Sequence, residues 1–115
     1  MRNILLSDEF KEFVTTLKPN VSGKLDYAIE MLTEVKGISQ KLAKKLVNTE
    51  FYELRIKSDN EYRIIIYPLD NINLIEAENI ILLNGFVKKS TKDYKKHIDV
   101  ARNILKGLDL WKEIY

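Results

Sequence analysis

The sequence predicts an α+β domain: helices first, then a twisted three-stranded antiparallel meander, then a C-terminal helix. Three observations lead there. Apolar residues recur at helical spacing through the first half of the chain. From Phe51 the period changes to two, which is the period of a sheet with one buried face. After a last, nearly unbroken apolar run the helical period returns. With 115 residues the chain has room for one hydrophobic core, so the reading is one domain over 1–115.

The elements follow in order. Residues 2–6 have the length of a short opening strand. Ser7 is placed as an N-cap, with Asp8 and Glu9 in the first turn where the helix dipole favours acids. Phe10, Phe13, Val14 and Leu17 then form one helical stripe, and Pro19 stops it. Ser22 can cap a second helix whose inner face is Leu25, Ala28, Ile29, Leu32 and Val35, with Gly37 at its end. Across a tight Lys36-Gly37-Ile38 turn, Ser39 can cap a third short helix over 40–47, with Leu42, Ala43 and Leu46 inward. These helices make a layer that needs a sheet face to pack on.

The second half supplies the sheet. Tyr52, Leu54 and Ile56 alternate with Glu53, Arg55 and Lys57, and Asp59-Asn60 is a turn signal. Tyr62, Ile64 and Ile66 alternate with Arg63, Ile65 and Tyr67 until Pro68 blocks the ladder. After a polar connection over 69–78, Asn79–Val87 reads as a buried strand. Ser90 or Thr91 can cap the last helix, with Tyr94, Ile98, Ala101, Ile104 and Leu105 on one side and Gly107 at its end. The helices are expected on one sheet face.

Composition removes whole classes of function. Only four Gly and two Pro among many aliphatic and aromatic residues argue against disorder. The absence of cysteine excludes disulfides, thiolate nucleophiles and Cys-ligated metals, and a single histidine leaves no His-rich metal cluster. No apolar run approaches the ~20 residues of a membrane helix. The N-terminus turns acidic before a signal-peptide core could form, so the expected location is the cytoplasm, with no membrane. Net charge is only +2, but from residue 84 to 106 seven basic residues stand against two acids. That local +5 marks either a patch for an anionic partner or a solvated helix face.

The hairpin gives the candidate site. Leu54 and Ile56 share a core with Ile64 and Ile66, so paired residues have numbers summing to an even value, as 56 with 64. That register sets Lys57 opposite Arg63, with Arg55 one step along, and gathers three cations on the face away from the helices. Like charges placed opposite one another cost roughly 0.2–1 kcal/mol per pair. Such a cluster fits a bound anion, or a salt-bridge ladder in which Glu53 is the carboxylate. Lys88 and Lys89 end the next strand beside it; Tyr94 fits the apolar stripe as well as chemistry, and His97 a solvated position as well as either. There is no glycine-rich phosphate loop, supported catalytic triad or paired carboxylates. A cationic site with no metal and no cofactor suits an RNA 2′-OH attacking its own phosphodiester, where the protein stabilises a dianionic transition state.

At these residues the chain resembles the RelE/ParE toxin superfamily, nearest its phage-derived, HigB-like branch. The resemblance is carried by Phe51-Tyr52-Glu53-Leu54-Arg55-Ile56-Lys57, then Glu61-Tyr62-Arg63-Ile64-Ile65-Ile66-Tyr67, then Asn84-Gly85-Phe86-Val87-Lys88-Lys89 and the final helix. It implies a RelE-like fold and the toxin of a type II toxin–antitoxin pair, held in a heteromer with a helix-turn-helix antitoxin. RelE-like and HigB-like members are metal-independent endoribonucleases that cut mRNA, mostly on the ribosome. The superfamily also holds ParE-like inhibitors of DNA gyrase that cut nothing, the rival reading.

By that resemblance Arg63 falls on the arginine that stabilises the scissile phosphate. Arg55, with Lys57, would lower the barrier to 2′-OH attack. Lys88, Lys89 or Tyr94 would serve the leaving 5′-oxygen, although Tyr94 stands one position from the aromatic of other members. Lys92, Lys95 and Lys96 would bind RNA phosphates. Glu53 departs from the pattern, since RelE-like members carry a lysine there, and the 69–78 connection is longer than usual.

Overall fold

In the computed structural model, which describes residues 1–34 and 41–114 (109–114 by backbone alone), the first turn of helix is set by Ser7. Its hydroxyl accepts from the Phe10 N–H at 3.0 Å and donates to the Leu83 carbonyl. One side chain thus caps the helix and ties it to the sheet. The elements are β1 (Asn3–Leu6), α1 (Asp8–Val14), α2 (Pro19–Thr33), β2 (Ala43–Lys45), β3 (Tyr52–Lys57), β4 (Glu61–Pro68), β5 (Asn79–Val87) and α3 (Asp93–Ile114). The strands form one sheet in the order β1-β5-β4-β3-β2. β1 runs parallel to β5, and the other neighbours are antiparallel.

The expected meander is therefore the centre of a five-stranded sheet. The opening strand is real and parallel. The other added strand replaces the expected third helix. Leu42, Ala43 and Leu46 fit a helical stripe, yet with a strand here Ala43 and Leu46 serve opposite sheet faces. The open edge of β3 decides, because pairing satisfies Ala43–Lys45 along a ready ladder, while a helix this short gains little. The β2–β3 turn closes with Leu46 N–H on the Phe51 carbonyl at 3.0 Å and Asn48 at φ 61, a left-handed position that asparagine tolerates. Val35, the Lys36-Gly37-Ile38 turn and the Ser39 cap lie outside the described residues.

Two other helix boundaries differ. Pro19 opens α2 at its first turn, where a missing N–H is harmless, so the N-cap is Lys18 and not Ser22. Gly107 does not end α3, which continues to Ile114; one glycine costs a helix only about 1 kcal/mol.

The sheet is covered on both faces. Phe10, Val21, Leu25, Ala28 and Leu32 of α1 and α2 bury one face with Leu54, Ile56, Tyr62, Ile64, Ile66, Ile80 and Leu82. On the other face, Tyr94, Ile98, Ala101, Ile104 and Leu105 of α3 pack on Phe51, Ile65, Ile81, Leu83 and Phe86. This corrects the expectation of all helices on one face, and it explains why β4 and β5 lack a clean alternation. A bulge interrupts the β4–β5 ladder. β4 pairs with β5 as Ile65↔Asn84 and then as Ile66↔Leu82, which turns both Leu83 and Asn84 toward α3. On the opposite face Gly85 lets α1 approach: a Cβ there would lie 2.4 Å from the Phe13 ring.

Candidate functional site

Pairing of β3 with β4 sets the site. Arg55 stands directly opposite Arg63, and Lys57 opposite Glu61. The predicted parity holds, but the register is shifted by two residues: Ile56 pairs with Tyr62, not Ile64. The two arginines are thus cross-strand partners, and Lys57 stands in register with Glu61 at the strand end.

What holds like charges together is Glu53, two residues back on β3. Glu53 is 2% exposed. Its Oε1 accepts from Arg55 Nε at 2.9 Å, and its Oε2 lies 3.7 Å from Arg63 Nε. Arg63 is itself only 5% exposed. Its Nε donates to the Tyr94 hydroxyl at 3.0 Å, Nη1 to the Tyr62 carbonyl at 3.1 Å, and Nη2 reaches Glu61 Oε1 at 3.5 Å. The site is therefore not purely cationic: two arginines share the Glu53 carboxylate under a phenol. An ion pair this buried is strongly destabilised by loss of one partner.

Tyr94 reaches the site from the first turn of α3 and packs edge-on to Phe86, ring centres 5.4 Å apart. Burial, then the neighbouring Glu53 carboxylate, outweighs Arg63 and pushes its phenol up to about 12. Phe86 also stacks on His97, ring centres 3.9 Å apart. Burial, then Lys96, lowers the His97 pKa, so this imidazole serves the core as a neutral ring.

These groups meet at an open cleft of about 410 Å³ between β2, β3 and α3, lined by Lys44, Lys45, Glu53, Arg55, Lys88 and Tyr94, with Leu46, Val47, Thr91 and Ile98. Of the residues expected in the site, Arg55, Lys88 and Tyr94 line the cleft, with Arg63 buried behind Tyr94. Lys57, Lys89, Lys92, Lys95 and Lys96 are exposed and stand outside it. Lys44 and Lys45 were hidden from sequence reasoning because their segment read as a helix. Read as a strand, Lys44 pairs with Glu53 and shares its face. Among the described residues no group of three His, Asp or Glu side chains is placed to hold a metal ion, and no helix is long and apolar enough to cross a membrane.

Comparison with known proteins gives two findings. Residues 12–106 match the family model described as phage-derived protein Gp49-like (DUF891). The fold is similar to that of the Escherichia coli toxin RelE, solved in the free state with two arginines replaced by alanine. The TM-score is 0.61 at 13% identity, over 85% of this chain and 95% of that one. No curated protein sequence matches. The family match runs from α1 into α3. The chain belongs to the phage-derived Gp49-like protein family, and with it to the RelE/ParE toxin superfamily.

Proposed function

We propose that this protein is the toxin of a type II toxin–antitoxin pair and an mRNA interferase: a metal-independent endoribonuclease that cuts mRNA on the ribosome. The observation that carries the reading is the pairing of Arg55 with Arg63 across β3 and β4, beneath Tyr94 and beside Lys88, around one open cleft.

The reaction makes an O2′–P bond and breaks the P–O5′ bond, leaving a 2′,3′-cyclic phosphate and a 5′-hydroxyl. Charge gathers on the non-bridging oxygens, and fixed donors aimed at them supply most of the catalysis. Arg63 suits that task because β4 and the Tyr62 carbonyl fix its guanidinium in place. Arg55, more exposed, suits binding of the incoming phosphate. A phenol pushed up to about 12 stays protonated at neutral pH, so Tyr94 serves as a hydrogen donor toward the leaving oxygen. Lys88 offers a second cation at the cleft wall. Lys57 and Lys89, outside the cleft, suit contacts with flanking phosphates, as do Lys92, Lys95 and Lys96.

The test is incubation with mRNA on programmed ribosomes, in chelator, followed by end-group analysis. Cleavage yielding cyclic-phosphate and 5′-hydroxyl ends is expected; intact mRNA overturns the reading. One observation favours the rival, ParE-like inhibition of DNA gyrase: Arg63 is buried and engaged by two carboxylates. Gyrase-linked DNA breaks with mRNA intact would select it. A helix-turn-helix antitoxin with an acidic segment fits the basic cleft wall, and co-purification of the adjacent gene product tests that partner.

A further inference from the structure

Resting on the ribonuclease reading above, we infer that Glu53 is a catalytic residue: it accepts the proton of the attacking 2′-hydroxyl.

The carboxylate is buried in the cleft floor, and its two oxygens differ. Oε1 is held by Arg55, while Oε2 accepts no well-formed hydrogen bond: Arg63 Nε stands 3.7 Å away and the Tyr94 hydroxyl lies beside the carboxylate. Buried side-chain oxygens are usually satisfied, so an open acceptor at a reactive cleft marks a place for a donor that arrives with the substrate. A ribose 2′-hydroxyl beside a phosphate on Arg55 and Arg63 is such a donor. The groups facing Glu53 are Lys44 from β2, Arg55 on its own strand, Arg63 from β4 with Glu61 beside it, Tyr94 from α3, and Lys88 after β5.

In the resting protein both guanidiniums face the carboxylate, Arg55 Nε at 2.9 Å and Arg63 Nε at 3.7 Å. A phosphodiester offers arginine the same two-oxygen edge as a carboxylate and competes for both. As the guanidiniums turn to the phosphate, Glu53 is left buried with weaker cationic partners. Substrate binding thus releases the carboxylate from its arginines at the moment it must take a proton. In the step itself, the proton moves from O2′ to Glu53 Oε2 as the O2′–P bond forms. The P–O5′ bond then breaks, and O5′ takes a proton from the Tyr94 hydroxyl. Glu53 returns its proton to water, and Tyr94 regains one.

The experiment compares wild type, Glu53→Gln and Glu53→Asp in single-turnover cleavage on programmed ribosomes across a pH series. Binding of each protein to a 2′-deoxy oligonucleotide, which cannot be cut, is measured alongside. A general base typically contributes 10²–10⁴-fold, so Glu53→Gln should be slowed by about 100-fold or more and lose the acidic limb of the pH profile. It should bind the 2′-deoxy strand at least as tightly, because an anion has left the phosphate site. Glu53→Asp should recover part of the rate and keep the limb. Glu53→Gln that cuts as fast as wild type, or faster, overturns the inference and makes Glu53 a counter-ion only. Loss of 2′-deoxy binding in Glu53→Gln assigns it a structural role and overturns the inference too. A wild type that cuts nothing instead overturns the ribonuclease reading.

Discussion

Arg2 and Arg63 are both about 5% exposed, and they are buried in opposite ways. Arg2, beside β1, is wrapped by backbone: its Nε donates to the Ala77 carbonyl at 2.9 Å, Nη1 to Leu32 and Glu34 at 3.1 and 2.7 Å, and Nη2 to Ile75. Burial lowers its pKa. Those carbonyls belong to the end of α2 and the connection before β5, so the guanidinium fastens two segments to the sheet edge and favours the negative end of the helix dipole. Arg63 keeps one carbonyl, that of Tyr62, and its other partners are groups an anion can replace: two carboxylates and a phenol. Carbonyls bound to Arg2 cannot leave without loosening the chain. Carboxylates bound to Arg63 can yield to a phosphate while the sheet stays intact. A buried arginine is thus read by its partners: carbonyls indicate architecture, and exchangeable anions indicate a binding site.

The sharpest way to break this comparison is to remove each arginine in turn. Arg63→Ala removes a preorganised donor to the developing charge, so cleavage should fall about 10²–10³-fold, or ~3–4 kcal/mol. Cleavage at the wild-type rate would remove Arg63 from the site. Arg2→Met leaves buried carbonyls unpaired and should lower unfolding stability by about 2–4 kcal/mol in denaturant titration. Its cleavage rate per folded molecule should stay within a few-fold of wild type. Equal stability in Arg2→Met, or loss of activity in the folded variant, would erase the distinction between the two sites.

The two regions also differ in how far the sequence announces them. Periodicity gave α1 through Phe10, Phe13 and Val14, with Leu17 just past its end, and α3 through Tyr94, Ile98, Ala101, Ile104 and Leu105, all of which pack inward. It gave the opposition of β3 and β4 and the cations between them, because side-chain parity survives a shift of register by a pair. It could not give β2, which is too short to show a period and whose state depends on the free edge of β3, a tertiary fact. Lys44 and Lys45 disappeared from the site with it. Nor could it separate Arg63, buried, from Arg55, exposed. That difference comes from α3 packing on the far face and laying Tyr94 over Arg63. Glu53 was visible as a carboxylate among cations, but its burial was not. Arg2 gave no signal at all, since its partners are carbonyls that composition cannot show.

Tyr94 offers a subtler handle on the same contrast. Its pKa is raised to about 12 from the ordinary ~10 of tyrosine, first by burial and then by Glu53. A raised acid is stabilised in its neutral form by folding. Its contribution is therefore complete below the unfolded value near ~10 and is lost as pH rises through about 12. Phenolate absorbance should show one tyrosine titrating late, and that step should vanish in Tyr94→Phe. If the late step persists in Tyr94→Phe, the lid over Arg63 is not as drawn. The Arg2 end of the molecule should be indifferent to this substitution.

The smallest expected effect concerns the lysines that neither arginine site absorbs. Lys89, Lys92, Lys95 and Lys96 are exposed at the start of α3 and just before it, outside the cleft that Lys88 lines. Exposed lysines that meet RNA phosphates release counterions, with a slope of about −0.7 in log affinity against log salt for each contact on single strands. Four or five contacts, counting Lys88, give a slope near about −3. Lys92→Glu with Lys95→Glu should flatten that slope by about 1.4 and weaken binding to every RNA sequence alike, leaving cleavage of bound RNA unchanged. The reasoning separates two kinds of positive charge. Arg55 and Arg63 act at fixed positions on one phosphate, so their loss changes the rate of a bond-breaking step. The lysines act through the field they add to one end of the molecule, so their loss changes only how much RNA is held. Affinity that is flat from low to physiological salt, and equal in the doubly reversed variant, would leave these lysines a solvated helix face and place all RNA binding in the cleft.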